Sequence, residues 1–138
     1  MTGFVGQAWV MLGAISGFLS VALGAFGAHA LRGSLSVSSL AIYQTGNLYQ
    51  MVHSLALVGL GLWQSQLKAS QWAAGGNWIL IPPYAIGFGI LIFSGSLYAL
   101  AVTEIRILGA VTPIGGVAFL MGWLVWAWAA FRVHQVNS

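Results

Sequence analysis

The chain has 138 residues, of which only four are basic and one is acidic. A hydrophobic share of 59% with mean hydropathy +0.92 exceeds the roughly 45–50% apolar usage of soluble domains and excludes a water-soluble fold. With no cysteine, a disulfide framework, a thiolate metal site and a thiol nucleophile are excluded too.

At about 20 residues per bilayer crossing, the apolar runs predict an all-α, integral membrane four-helix bundle with short loops, one domain over residues 1–138. The first span, residues 4–28, has no Lys or Arg ahead of it and exceeds the core of a cleavable signal peptide, so it reads as a retained crossing. Residues 31–47, LRGSLSVSSLAIYQTGN, read as the longest connection, in which Leu35, Leu40 and Tyr43 suit a short interfacial helix. The second span covers residues 48–66, with Thr45 or Asn47 as its cap. Beyond KASQWAAGGN, the third covers residues 78–102 and carries Pro82 and Pro83 in its first turn, where a missing amide costs little. The fourth, residues 112–131, opens on Thr112-Pro113, a cap followed by proline at the first helical position.

Arg32 and Arg106 fall on one side of this topology, and Lys68 and Arg132 on the other. The positive-charge bias therefore leaves orientation undecided. Four isolated basic residues and a pI near 9.8 mark interface anchoring, since no basic cluster exists to follow a nucleic-acid backbone. Gly13, Ser16, Gly17, Ser20 and Gly24 form small-residue faces on the first span, and Gly95 with Ser96, and Gly115 with Gly116, do so on the third and fourth. Such faces let helices approach closely in lipid. Trp9, Trp63, Trp72, Trp78 and Trp123 read as interface anchors, with Trp126 and Trp128 deeper.

His29 near the end of the first span and His53 about two turns into the second are expected at comparable depth, with Tyr49 one turn before His53. These three are the candidate ligand-binding residues. Two facing imidazoles suit a haem, and His with Tyr and Ser suit a quinone headgroup or a lipid phosphate. The alternative is that both histidines hydrogen-bond to backbone carbonyls, Tyr49, Ser54 or each other. No catalytic set and no metal-ligand set is recognisable: Asp is absent, Glu104 is the single acid, and no nucleophile stands at an informative spacing from a base. Glu104 and Arg106 read as a solvated or headgroup-facing pair, and TPIGG at 112–116 lacks the Lys of a phosphate loop. A transporter would show intramembrane charge or a strong polar stripe.

Four blocks, GAFGAHAL at 24–31, TGNLYQMVHSLAL at 45–57, FSGSLYAL at 93–100 and TPIGGVAFLMGW at 112–123, resemble the small membrane family known as domain of unknown function 423, in which transmembrane protein 256 is grouped. The resemblance implies a four-span bundle, draws attention to His29, Tyr49, His53, Ser94, Gly95, Ser96, Tyr98, Thr112, Pro113, Gly115 and Gly116, and implies no reaction. Members carry acidic residues in the first connection, where this chain is serine-rich and uncharged. The expected role is a noncatalytic structural or accessory subunit of a larger membrane assembly, multi-pass in the bacterial inner membrane, with lipid and other membrane subunits as partners. The alternative is a protein that binds quinone, lipid or haem at His29 and His53.

Overall fold

The computed structural model describes residues 2–135, and all regular structure among them is helical. Helix α1 (Thr2–Phe26) runs into a π-turn at Gly27–Leu31. Helix α2 (Val37–Gln66) follows, then a short α3 (Ala69–Gly75) and a 3₁₀ turn at Gly76–Ile79. Helix α4 (Ile81–Gly89), a second π-turn at Ile90–Ser94 and α5 (Gly95–Thr103) form one rod, and α6 (Ile107–His134) closes the chain. By length and composition three helical segments can cross a membrane: Phe4–Leu31, Ile81–Thr103 and Ile107–His134. The 30 residues of α2 reach about 45 Å, more than the hydrocarbon thickness, but they are less apolar. Ser39, Tyr43, Gln50, His53, Ser54 and Gln64 on α2 are all buried in the protein.

Three boundaries differ from the sequence reading. Residues 37–47 are the first turns of α2 and not a connection. Ser36 is the cap, its hydroxyl accepting from the Ser39 amide at 3.1 Å, while Thr45 turns back to the Ala41 carbonyl inside the helix at 3.0 Å. Helix α6 starts at Ile107, so Thr112 caps nothing and Pro113 lies within the helix. Proline removes the bond to the Gly109 carbonyl there, and Thr112 donates to the Leu108 carbonyl at 3.3 Å in the same turn. The KASQWAAGGN loop contains α3, opened by a 2.7 Å bond from the Lys68 amide to the Gln71 side chain. The two prolines of α4 do sit in its first turn.

Helix α2 lies at the centre. Its main partner on one side is α1; on the other it meets α5 and the second π-turn, and α6 packs on α4 and that π-turn. Ala56, Leu57, Leu60, Ile86, Ile90 and Phe119 form the apolar core. Glycine sets the α1–α2 distance: a Cβ on Gly61 would stand 2.5 Å from the Gly6 carbonyl oxygen and 2.7 Å from the Val10 amide. Backbone atoms cannot yield as a side-chain tip can. Gly61→Ala should therefore destabilise the protein by about 1–3 kcal/mol, the usual penalty of overpacking, whereas Gly95→Ala, with nothing within 4 Å of the new methyl, should not. Thermal denaturation of the two variants in the same detergent checks the contrast.

Candidate functional site

Polar side chains on the inner face of α2 grip the backbone of α1. Tyr43 donates to the Leu23 carbonyl at 2.9 Å, Asn47 to the Ser20 carbonyl at 2.7 Å, and Gln50 to the Ser16 carbonyl at 3.1 Å. The donors climb α2 at helical spacing while the acceptors descend α1, as antiparallel packing requires. Each carbonyl has a second lone pair to offer beyond its own helix. Tyr98 of α5 joins the set, donating to Gln50 Oε1 at 2.7 Å and accepting from Asn47 Nδ2 at 3.1 Å. The Ser16 and Ser54 hydroxyls meet at 2.7 Å, and Ser54 also donates to the Gln50 carbonyl at 2.6 Å. Three helices are thereby tied at one level.

One turn beyond Tyr49, the His53 ring faces the other way, toward α6. Its Nδ1 lies 2.8 Å from the Tyr49 carbonyl. A carbonyl only accepts, so Nδ1 carries the proton and Nε2 is the acceptor for the Trp123 indole N–H at 3.2 Å. Both ring nitrogens are thus engaged. Phe119 stacks on the imidazole at 3.5 Å and 15°, and the Tyr49 ring lies at 5.8 Å and 16° on its own helix. Tyr49 also packs on Phe93 of the π-turn at 4.5 Å. Phe93 and Phe119 stand at the middles of the apolar segments Ile81–Thr103 and Ile107–His134, which puts this aromatic group near the bilayer mid-plane. Beside it runs a groove of about 530 Å³, bounded by Tyr49, His53 and Phe93 and by Pro113, Gly116 and Leu120 of α6. A second groove, about 380 Å³ and almost wholly apolar, lies between α1 and α4 against Trp9, Leu57 and Phe88.

Tyr49 and His53 are therefore neighbours, but His29 does not join them. Ser16 marks the level of Ser54 on α1, and His29 lies 13 residues further along, about 20 Å up the axis at 1.5 Å per residue. It is exposed, within the first π-turn. No single iron can be ligated by both rings. The small residues of α1 face α2: a Cβ on Gly13 would meet the Ser54 carbonyl at 2.8 Å and one on Gly24 the Asn47 side chain at 2.9 Å, while Gly17 has ordinary room and Ser20 is fully buried. Ser96 pairs with Thr112 across α5 and α6 at 2.8 Å. Gly115 lies against the Phe93 backbone, Gly116 beside the Phe93 ring, and Gly95 faces open space.

Asn47, Gln50, Phe119 and Trp123 were not legible as members of these clusters. Trp123, expected as an interface anchor, is the indole nearest the middle of α6 and finds its acceptor in His53. Tyr98 drew attention only through the family resemblance. Among the described residues no group of three or more His, Asp or Glu forms a metal-ligand set.

Residues 23–116 match the family described as protein of unknown function DUF423. The chain is 45% identical over 120 residues to a UPF0382 membrane protein of Staphylococcus epidermidis, covering 86% of this chain and 91% of that protein. It is 40% identical over 126 residues to the UPF0382 membrane protein YwdK of Bacillus subtilis, covering 91% and 98%. Similarity to the UPF0382 inner membrane protein YgdD of Escherichia coli is 41% over 126 residues, 91% of each chain. No solved structure matches.

Two substitutions test the polar geometry. Tyr98→Phe leaves Gln50 Oε1 and one Asn47 N–H without their partner, and should lower stability by about 1–3 kcal/mol, read from the denaturation midpoint in detergent. A double-mutant cycle between His53→Ala and Trp123→Phe should return a coupling of about 0.6 kcal/mol, the average for hydrogen bonds between membrane helices, and no more than about 1.7 kcal/mol. A coupling of zero would mean that the indole–imidazole bond is not made.

Proposed function

We propose a noncatalytic role for this chain, which belongs to the DUF423 family of small membrane proteins: a four-span structural or accessory subunit of a larger assembly in the bacterial inner membrane. The observation that carries this reading is the use to which the polar side chains are put. Tyr43, Asn47, Gln50, Ser54, Ser96, Tyr98 and Thr112 bond from one helix to another or back to backbone, so they act as glue between helices. Outward, α1 offers Ile15, Phe18 and Val21, and α6 offers Val117, Leu120 and Leu124, all exposed. Both helices lie at the edges of the arrangement, where a neighbouring membrane subunit or lipid meets them. The relative YgdD is named an inner membrane protein, and that address is extended to this chain.

The fourth crossing is α2. Between Gly46 and Gln64 its strongly polar residues Gln50, His53, Ser54 and Gln64 are buried, and Met51, Val52, Leu55 and Leu62 are exposed, while the exposed Ser38, Gln44, Thr45, Ser65 and Gln66 lie toward its ends. The chain has no native cysteine, which makes single-cysteine labelling clean. Cysteines placed at Ser34 and Ser70 should react with an impermeant maleimide from opposite faces of the membrane; reaction from one face would remove α2 as a crossing. The subunit role is tested by the mass and composition of the native particle after gentle solubilisation. A reproducible complex with other membrane proteins is expected, and a particle of this chain alone or of its own copies would overturn the reading.

A further inference from the structure

We propose that the groove beside Tyr49 and His53 is a binding site for a flat, lipophilic ring bearing a carbonyl acceptor, the chemical class of the membrane quinones, entering sideways from the bilayer. The inference is separate from the subunit role and does not depend on it.

Depth is the first argument. Tyr49 packs on Phe93 and lies 6.1 Å from Phe119, ring centre to ring centre, and both phenylalanines sit at the middles of apolar helical segments. No water is at hand there, so an unpaired polar hydrogen is costly, although the buried Ser20 and Ser94 hydroxyls also lack a partner. The Tyr43 and Tyr98 hydroxyls have such partners. The Tyr49 side chain is 39% exposed, and its hydroxyl has no hydrogen bond to any described residue. Something that accepts a proton bond at mid-membrane depth completes it.

The remaining polar atoms of the groove narrow the choice. His53 gives Nδ1–H to the Tyr49 carbonyl, and its Nε2 takes the Trp123 N–H, so neither ring supplies a free donor. The groove therefore offers one donor, the phenol, on a bed of aromatic rings. A ring carbonyl matches the donor, and a flat conjugated ring can lie against the aromatic lining of Tyr49, Phe93 and Phe119, beside the His53–Phe119 pair and not between its stacked faces. A phospholipid headgroup does not match, because neither Lys nor Arg lines the groove, both nitrogens of His53 are already engaged, and headgroups stay at the interface. The space of about 530 Å³ falls within the roughly 300–1,000 Å³ of small-molecule sites.

Gly116 keeps the groove open. A Cβ there would meet only ring carbons of Phe93 at 3.7 Å, an ordinary contact, so alanine fits and a larger side chain extends into the groove. Val117 and Leu120 at the rim are exposed, leaving the mouth open to lipid.

The test uses the full chain in phosphatidylcholine nanodiscs and an azido-benzoquinone with one isoprenoid unit as photoprobe, competed by the unlabelled benzoquinone. Saturable labelling is expected in peptides containing Tyr49 and residues 113–123. Tyr49→Phe should weaken competition about three- to tenfold, the effect of one hydrogen bond. Gly116→Leu should abolish labelling, while Gly116→Ala should bind as wild type and guards against a mere folding defect. Labelling that does not saturate, that spreads over lipid-facing residues, or that is unchanged in Tyr49→Phe would overturn the proposal.

Discussion

A polar side chain in hydrocarbon has no water to turn to, and α2 carries a row of them from Ser39 to Gln64. Placing α2 in the middle, with α1 on one flank and the α4–α5 rod on the other, turns most of these groups from a penalty into a link, Gln64 Oε1 being left unpaired. Asn47 and Gln50 reach the backbone of α1, and Tyr98 reaches back to both. That single requirement dictates the order of the helices: the least apolar one must be covered on both sides, and the more apolar ones form the cover.

Close approach is what allows short polar side chains to reach. Gly6 and Gly61 bring the backbones of α1 and α2 together near one end, Gly13 and Gly24 continue the seam, and Gly27 lies under the Tyr43 ring. With larger residues on α1, Asn47 and Ser54 would fall short of their acceptors and remain unpaired in a dry interior. Packing and hydrogen bonding are therefore one constraint here. On the α6 side the contact is different in kind: aromatic faces stack around His53, and Gly115 admits the Phe93 backbone.

Helix type and the rough positions of the apolar segments were readable because bilayer thickness selects length and hydropathy directly. The start of α2 was not. Ser36, Ser38, Ser39 and Thr45 carry as strong a loop signature as a helical one, and only the bond from the Ser39 amide to Ser36 resolves it. That displacement of the start, from about residue 48 to Val37, also carried His53 away from His29: it stands 16 residues into α2, about 24 Å from its beginning. Tyr49 and His53 were legible as neighbours because they are four residues apart on one helix. Trp123, Phe119 and Tyr98 were not, since the register between helices is written in no local spacing.

The polar face of α2 also bears on how the chain enters its membrane. A segment with Asn47, Gln50 and His53 near its centre partitions poorly on its own, while α1 inserts readily. The acceptors for the polar side chains of α2 are carbonyls of α1, which continues through the π-turn at Gly27–Leu31 and is joined to α2 by only five further residues, 32–36. With α2 as the fourth crossing proposed above, insertion as a helical hairpin would keep α1 beside α2 until the two can dock. The order of synthesis, first helix before second, is thus matched to the order in which hydrogen-bond partners are needed.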